Sequence, residues 1–199
     1  MTAPYHDRPL TATVSALAND PAIPDASEGF SDSHIAALFA VFMAADYKWE
    51  LDGVWSSIRI GEPAPELDAT FPDAKRFGMT AAANPGQIIR ADADNRSSDR
   101  ALQQALTRLG LTHRPAFVAA HSRIWKAYNW LVIDPDETTF DALTRDFAQI
   151  GSLLWPRGQP VRLRMRTRRP ASVAGHAHVD WLGDDGDGDA AWAKPPASP

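Results

Sequence analysis

The chain has 199 residues, a formal net charge of −5 and an apolar fraction of 44%. These values are typical of one globular domain with tails, and the acidic balance argues against a general nucleic-acid binder. The absence of cysteine excludes disulfides, cysteine-ligated metal centres and thiol catalysis. We therefore expect a cytoplasmic protein without a membrane span, and we do not expect nucleic acid as a partner.

The first part of the chain predicts a flexible N-terminal arm, because residues 1–30 contain four prolines and little apolar periodicity. A helix is expected next. Ser31 or Asp32 can cap it, its apolar residues repeat at helical spacing, and it should end near Asp46-Tyr47. The alternating stretch VWSSIRIG, residues 54–61, then predicts a strand.

From residue 76 the pattern predicts strand, helix, strand, strand, helix and strand. The expected elements are a strand at 76–83, a helix capped by Ser97 or Ser98 and ended by Gly110, a hairpin of strands 116–122 and 126–134, a helix from Asp136–Thr138 to Gly151, and final strands around the turn at 156–158. This order is that of the split βαβ, or ferredoxin-like, core. We predict an α+β two-layer sandwich, with helices on one sheet face and an extra N-terminal helix and strand beside it.

The composition changes at Pro170. Residues 170–199 are rich in Gly, Ala, Asp and Pro, which predicts a mostly disordered acidic and proline-rich tail after a single domain at 31–169. Trp181 and Trp192 are the exceptions, because a tryptophan in a tail often docks on the domain.

The loop that begins with Asn84-Pro85-Gly86 is the first candidate site, because it joins a buried strand to a helix N-terminus. Free backbone N–H groups and the helix dipole favour anions at such a position. No glycine-rich phosphate motif is present, so the alternative is ordinary turn chemistry with Asn95 as a local cap.

Two other groups of residues carry weaker signals. The first is the row of arginines at alternate positions 162, 164, 166 and 168, which would share a strand face and could contact RNA phosphates. The alternative is an edge strand protected by charge. The second is His176 and His178, which lie in the predicted tail, so we expect no metal site there and no cofactor.

Several short motifs occur in a characteristic order along residues 32–167. They are Ala44-Ala45-Asp46-Tyr47 at a helix end, Met79 to Pro85 at a strand end, Asn95 before a leucine-rich helix, and Phe147-Ala148-Gln149 before a strand. In these features the chain resembles DUF3293, a bacterial domain family of unknown function. The resemblance implies no reaction. It does imply that Thr80, Asn84, Asn95 and Gln149 converge on one site.

The leading hypothesis is a binding or protein-interaction module with a polar pocket at the Asn84–Asn95 loop. Trp125 and Tyr128 would form aromatic walls, and the partner would be a small polar ligand or a protein. The alternative is a small enzyme acting on a polar or anionic metabolite, which Asn84, Asn95 and Gln149 would orient. A third interpretation is RNA contact through the arginine row. Binding and catalysis both stay open on the sequence.

Overall fold

The computed structural model describes residues 30–87, 89–120 and 126–183. The predicted N-terminal arm, apart from Phe30, and the last part of the predicted tail lie outside the described residues. So do two of the tryptophans singled out above, Trp125 and Trp192.

The described residues form four α-helices, one short 3₁₀ helix and eight strands. The helices are α1 (Asp32–Met43), α2 (Pro65–Thr70), the 3₁₀ helix Pro85–Gln87, α3 (Asp92–Arg108) and α4 (Glu137–Asp146). The strands are β1 (Asp46–Leu51), β2 (Val54–Ile58), β3 (Arg76–Thr80), β4 (Thr112–Ala119), β5 (Lys126–Ile133), β6 (Gly151–Pro156), β7 (Leu163–Met165) and β8 (Val179–Trp181). None of the described helices combines the length and the apolar composition needed to cross a membrane.

The strands form one sheet in the order β2-β1-β4-β5-β3-β6-β7-β8. Neighbouring strands are antiparallel, except that β7 and β8 are parallel. The predicted hairpin is present, since β4 and β5 pair along their whole length from Thr112↔Ile133 to Ala119↔Lys126. The mixed α+β class predicted from the sequence is confirmed.

Apolar residues cover both faces of the sheet, so the predicted two-layer arrangement is wrong. On β3, Phe77 and Met79 join the cluster on which α1 and α2 pack. Gly78, between them, faces the opposite side, where a Cβ atom would lie 2.6 Å from the ring of Phe140 in α4. Alternate residues of a strand point to opposite faces. The central strands therefore bury both faces, with α1 and α2 on one side and α3 and α4 on the other.

Three predicted boundaries are corrected. Asp46 and Tyr47 do not end the first helix but begin β1, in which Tyr47 and Trp49 alternate toward the core. Helix α3 begins at Asp92 rather than after Ser97, with no side-chain cap at Ala91. Gly151 does not end α4, which stops at Asp146, but begins β6.

The described part of the predicted tail is ordered against the domain. Residues Val179–Trp181 form β8, which extends the sheet beside β7. The Trp181 ring lies 5.6 Å from the ring of Phe39 in α1, as expected for a tryptophan that docks. The prediction of a disordered tail is therefore wrong for this stretch, because Val179 and Trp181 pack against the folded domain.

Candidate functional site

The Asn84-Pro85-Gly86 loop reverses the chain at the end of β3. Asn84, Gly86 and Gln87 all have positive φ angles, of 48°, 62° and 61°. Glycine adopts this region freely, and asparagine adopts it more readily than most other residues. The local sequence thus explains the sharp turn that carries the chain from the sheet to α3.

Asn95, in the first turn of α3, holds this loop in place. Its Oδ1 accepts a hydrogen bond from the backbone N–H of Asn84 at 2.9 Å, and its Nδ2 donates to Oδ1 of Asn84 at 3.0 Å. Oδ1 of Asn84 also accepts from the backbone N–H of Arg90 at 3.0 Å. These contacts define the orientation of both amide groups and close the loop between residues 84 and 90.

Gln149 ties the end of α4 to the same loop. Its Nε2 donates to the carbonyl of Phe147 at 2.9 Å and to that of Ala83 at 3.4 Å. The N–H of Gly86 donates to the carbonyl of Ala148 at 2.8 Å. The end of β3, the start of α3 and the segment after α4 therefore meet at one place.

Thr80, another predicted site residue, does not join this meeting point. Thr80 is 1% exposed, and its hydroxyl donates weakly to the carbonyl of Ala81 at 3.4 Å. It lies on the α3 and α4 side of β3 and lines neither of the two cavities described below. Trp125 lies outside the described residues. Tyr128, the other predicted aromatic wall, is 65% exposed.

A cavity of about 790 Å³, here called the loop cavity, lies between the loop, the first half of α3 and the start of β5. Its charged and aromatic lining consists of Arg90, Asp92, Arg96, Asp99, Arg100, Lys126 and Tyr128. Asn84 and Asn95 line it as well. Among the described residues, Arg90, Arg96 and Lys126 form no ion pair with a carboxylate.

A smaller cavity of about 330 Å³, here called the amide cavity, lies on the opposite side of the sheet under α1. Its walls are mostly apolar, and they include Leu38, Val41 and Phe42 from the helix and Met79, Val118 and Leu153 from the strands. Asn84, Gln87, Asn129 and Gln149 add amide groups. Asn84 thus lines both cavities, whereas Gln149 lines only the smaller of the two and Asn95 only the larger.

Asp99 is the carboxylate with a shifted pKa in the loop cavity. Its Oδ1 accepts a hydrogen bond from Nε1 of Trp130 at 2.9 Å. Burial raises the pKa of the Asp99 carboxyl above its ordinary value, while the Trp130 hydrogen bond and the charge of Arg100 act in the opposite direction. A carboxyl group with a raised pKa can take part in proton transfer closer to neutral pH than a solvated aspartate can.

Three arginines of the row form ion pairs with carboxylates of the fold. Arg162 pairs with Asp180 of β8, and Arg168 pairs with Asp32 of α1. Arg164, 6% exposed, binds Glu137 at 2.7 Å and Asp141 at 3.0 Å. These guanidinium groups connect the final strands to three other elements, and RNA contact through them stays a prediction.

His176 and His178 lie with their ring centroids 5.8 Å apart in the turn before β8. Within the described part of the chain, no group of three His, Asp or Glu side chains is placed to hold a metal ion. The pair packs locally instead, and the ring of His178 lies against Gly61.

Sequence reasoning missed several polar side chains of the cavities, among them Asp99, Arg100, Lys126 and Asn129. Arg96 and Arg100 are four residues apart, which places them on one face of α3. Asn129 is a buried polar residue on the apolar face of β5. The sequence signal that could have identified it is a polar residue within the otherwise apolar part of the stretch KAYNWLVI.

Comparison with known proteins identifies the segment that carries this site. Residues 80–150 match the family model described as a protein of unknown function, DUF3293. The resemblance predicted from the motifs is confirmed, and the matched segment contains all six residues singled out for the site. No curated protein and no solved structure matches the chain.

Proposed function

We propose that this chain, whose residues 80–150 match DUF3293, is a binding module that holds a small anionic ligand with a planar ring. The loop cavity is the binding site. The observation that carries the proposal is that Arg90, Arg96 and Lys126, which form no ion pair with a described carboxylate, share this cavity with the exposed ring of Tyr128.

The charge of the cavity favours an anion. Its charged lining is four cations, Arg90, Arg96, Arg100 and Lys126, and two carboxylates, Asp92 and Asp99. One oxygen of Asp99 already accepts the Trp130 hydrogen bond. Arginine donates paired hydrogen bonds that match phosphate and carboxylate oxygens. The unpaired cations of the cavity are therefore suited to an acidic group of the ligand.

The aromatic side of the cavity favours a planar ring. Tyr128 pairs in register with Phe117 on β4, so the two rings share one face of the sheet. The ammonium of Lys126 lies 4.5 Å from the centroid of the Phe117 ring and 5.5 Å from that of Tyr128. A ring that stacks on Tyr128 would keep its acidic group within reach of this cation.

A nucleotide is the simplest probe with both features. Isothermal titration with AMP, adenosine and inorganic phosphate tests the proposal, and we expect AMP to bind more tightly than either part. Arg96→Ala and Tyr128→Ala should each weaken AMP binding about tenfold, which corresponds to about 1.4 kcal/mol. Raising the salt concentration should weaken the phosphate contact.

Arg59→Ala is the matched control. Arg59 is an exposed arginine that pairs loosely with Glu62 at 3.8 Å and lines neither cavity. Its loss should leave AMP binding unchanged. The proposal fails if AMP does not bind, or if Arg59→Ala weakens binding as much as Arg96→Ala does.

A second candidate function is a small enzyme acting on a polar or anionic metabolite in the same cavity. Asp99 favours this alternative, because it lines the cavity and burial raises the pKa of its carboxyl group. Incubation of the protein with AMP, followed by phosphorus NMR, tests for turnover. The enzyme alternative requires turnover that Asp99→Asn abolishes, whereas the binding module predicts that AMP is unchanged after incubation.

We also propose that residues 76–156 form a split βαβ, ferredoxin-like core. The strand order β4-β5-β3-β6, antiparallel throughout, supports it, as do α3 between β3 and β4 and α4 between β5 and β6. We propose further that the protein is bacterial and cytoplasmic. The absence of cysteine is compatible with a cytoplasmic location.

A further inference from the structure

We propose that the amide cavity is a second binding site, for a small neutral molecule with an apolar body and paired N–H or O–H donors. This cavity lies on the opposite face of the sheet from the site of the proposed function. Three observations carry the inference: apolar walls, two amide oxygens on largely buried side chains that accept no hydrogen bond from a described residue, and the absence of carboxylates among the described lining residues.

The walls select an apolar body of limited size. Leu38 and Phe42 of α1 face Met79 and Leu153 of the sheet across the cavity. Ligand cavities are typically lined by apolar side chains with a few well-placed polar groups. At about 30 Å³ for each water-sized group, the volume of about 330 Å³ accommodates about ten non-hydrogen atoms.

Gln149 supplies the first acceptor. The side chain is 7% exposed, and its Nε2 donates to two backbone carbonyls, those of Phe147 and Ala83. This pattern assigns the amide orientation, since the oxygen would otherwise face two other oxygens. Oε1 of Gln149 accepts no hydrogen bond from any described residue.

Asn129 supplies the second acceptor. It is 8% exposed, and its Nδ2 donates to the carbonyl of Ala127 at 3.2 Å. Within the described chain its Oδ1 likewise has no donor. Each of the two oxygens keeps some access to solvent, so an N–H or O–H group of a ligand in the cavity can supply the missing donor. Two such acceptors in one cavity therefore favour a ligand with two donors.

The charges around the cavity favour a neutral ligand. Of the described residues that line the cavity, Lys126 alone is charged. The ammonium group of Lys126 lies over the rings of Phe117 and Tyr128, on the other face of the sheet. A charged ligand in the cavity would lose its hydration without gaining a counter-ion, which is costly. A carboxylate would also set its oxygens against those of Gln149 and Asn129.

Benzamide and benzoate test this inference, because they have the same shape and size but only benzamide carries two N–H donors. In ¹H–¹⁵N NMR titrations at millimolar concentration, benzamide should shift the side-chain amide signals of Asn129 and Gln149. Benzoate should leave them in place. Asn129→Leu, which removes the acceptor but keeps the volume, should weaken benzamide binding at least about tenfold.

Gln104→Leu is the matched control, since Gln104 is an exposed amide residue of α3 that lines neither cavity. Benzamide binding should survive it. Should Asn129→Leu fail to fold, Val41→Trp narrows the same cavity from the exposed side of α1 and should also abolish binding. The inference would be overturned if benzamide and benzoate shift the side-chain amide signals of Asn129 and Gln149 equally, if benzamide shifts neither signal, or if both cavity variants bind benzamide unchanged. A failure to bind AMP at the loop cavity would not affect it.

Discussion

Asn84 and Asn95 hold each other through a reciprocal pair of hydrogen bonds. The backbone N–H of Asn84 donates to Oδ1 of Asn95 at 2.9 Å, and Nδ2 of Asn95 donates back to Oδ1 of Asn84 at 3.0 Å. One residue follows the end of β3 and the other lies in the first turn of α3. The pair therefore sets the distance between sheet and helix, on which the shape of the loop cavity depends.

Asn95→Ala should lower the free energy of unfolding by about 1–3 kcal/mol, because the partly buried N–H of Asn84 loses its acceptor. Urea unfolding followed by circular dichroism measures this change. Thr107→Ala, at the other end of the same helix on an exposed position, is the control and should change stability far less. Equal effects of the two substitutions would contradict a special role for Asn95.

Asn84→Ala should destabilise the protein more than Asn84→Gly. Both substitutions remove the same side-chain hydrogen bonds, but Asn84 has a φ angle of 48°, at which alanine is strained by about 1 kcal/mol and glycine is not. The difference between the two unfolding free energies isolates the backbone term. A glycine variant that is no more stable than the alanine variant would argue against strain at this turn.

Arg164→Met should destabilise the fold by about 3 kcal/mol or more. The guanidinium is nearly fully buried between Glu137 and Asp141. Its removal leaves Asp141 without this ion pair and leaves Glu137 only the longer pair with Arg76, at 3.5 Å. Adding Asp141→Asn should recover part of the loss, because it removes one of these charges. The four unfolding free energies of this double-mutant cycle measure the coupling. Additive effects would show that the pair does not interact.

Gly78→Ala should cost about 1–3 kcal/mol, because the added methyl group would lie 2.6 Å from the ring of Phe140. Phe140→Leu creates space at the same position, so the double variant should be less destabilised than the sum of the two single variants. Thermal unfolding of all four proteins tests this. Strict additivity would mean that α4 does not pack against Gly78 as described.

Asp99→Asn should become more stable relative to the wild type as the pH rises. Burial raises the pKa of Asp99 in the folded protein, so the wild type loses stability between the unfolded pKa and this higher folded pKa. Asparagine does not ionise and keeps the acceptor for Trp130. Melting temperatures of both proteins from pH 3 to pH 8 test the sign. A difference that does not change with pH, or that changes in the opposite sense, would contradict the raised pKa.

Local sequence signals predicted the elements that depend on near neighbours. Asp136 caps α4 through a hydrogen bond to the N–H of Thr139, as its position before an amphipathic stretch indicated. The start of α3 was misjudged because Ala91 offers no capping side chain. Asn95 could have served as a local cap, but its side-chain amide forms hydrogen bonds with Asn84 and Arg90 instead. A local rule fails where a side chain has a better partner outside its own helix.

The sequence by itself determined the mixed α and β composition, the family resemblance and the turn at Asn84-Pro85-Gly86, because each depends on residue types and short spacings. Only the tertiary structure decided what the polar residues contact. It paired Arg164 with carboxylates of α4, left Arg96 and Lys126 unpaired among the described residues, and placed Gln149 and Tyr128 beside different cavities on opposite faces of the sheet. The physical reason is that charges and hydrogen bonds act between groups that folding brings within a few ångströms, however far apart they lie in the chain.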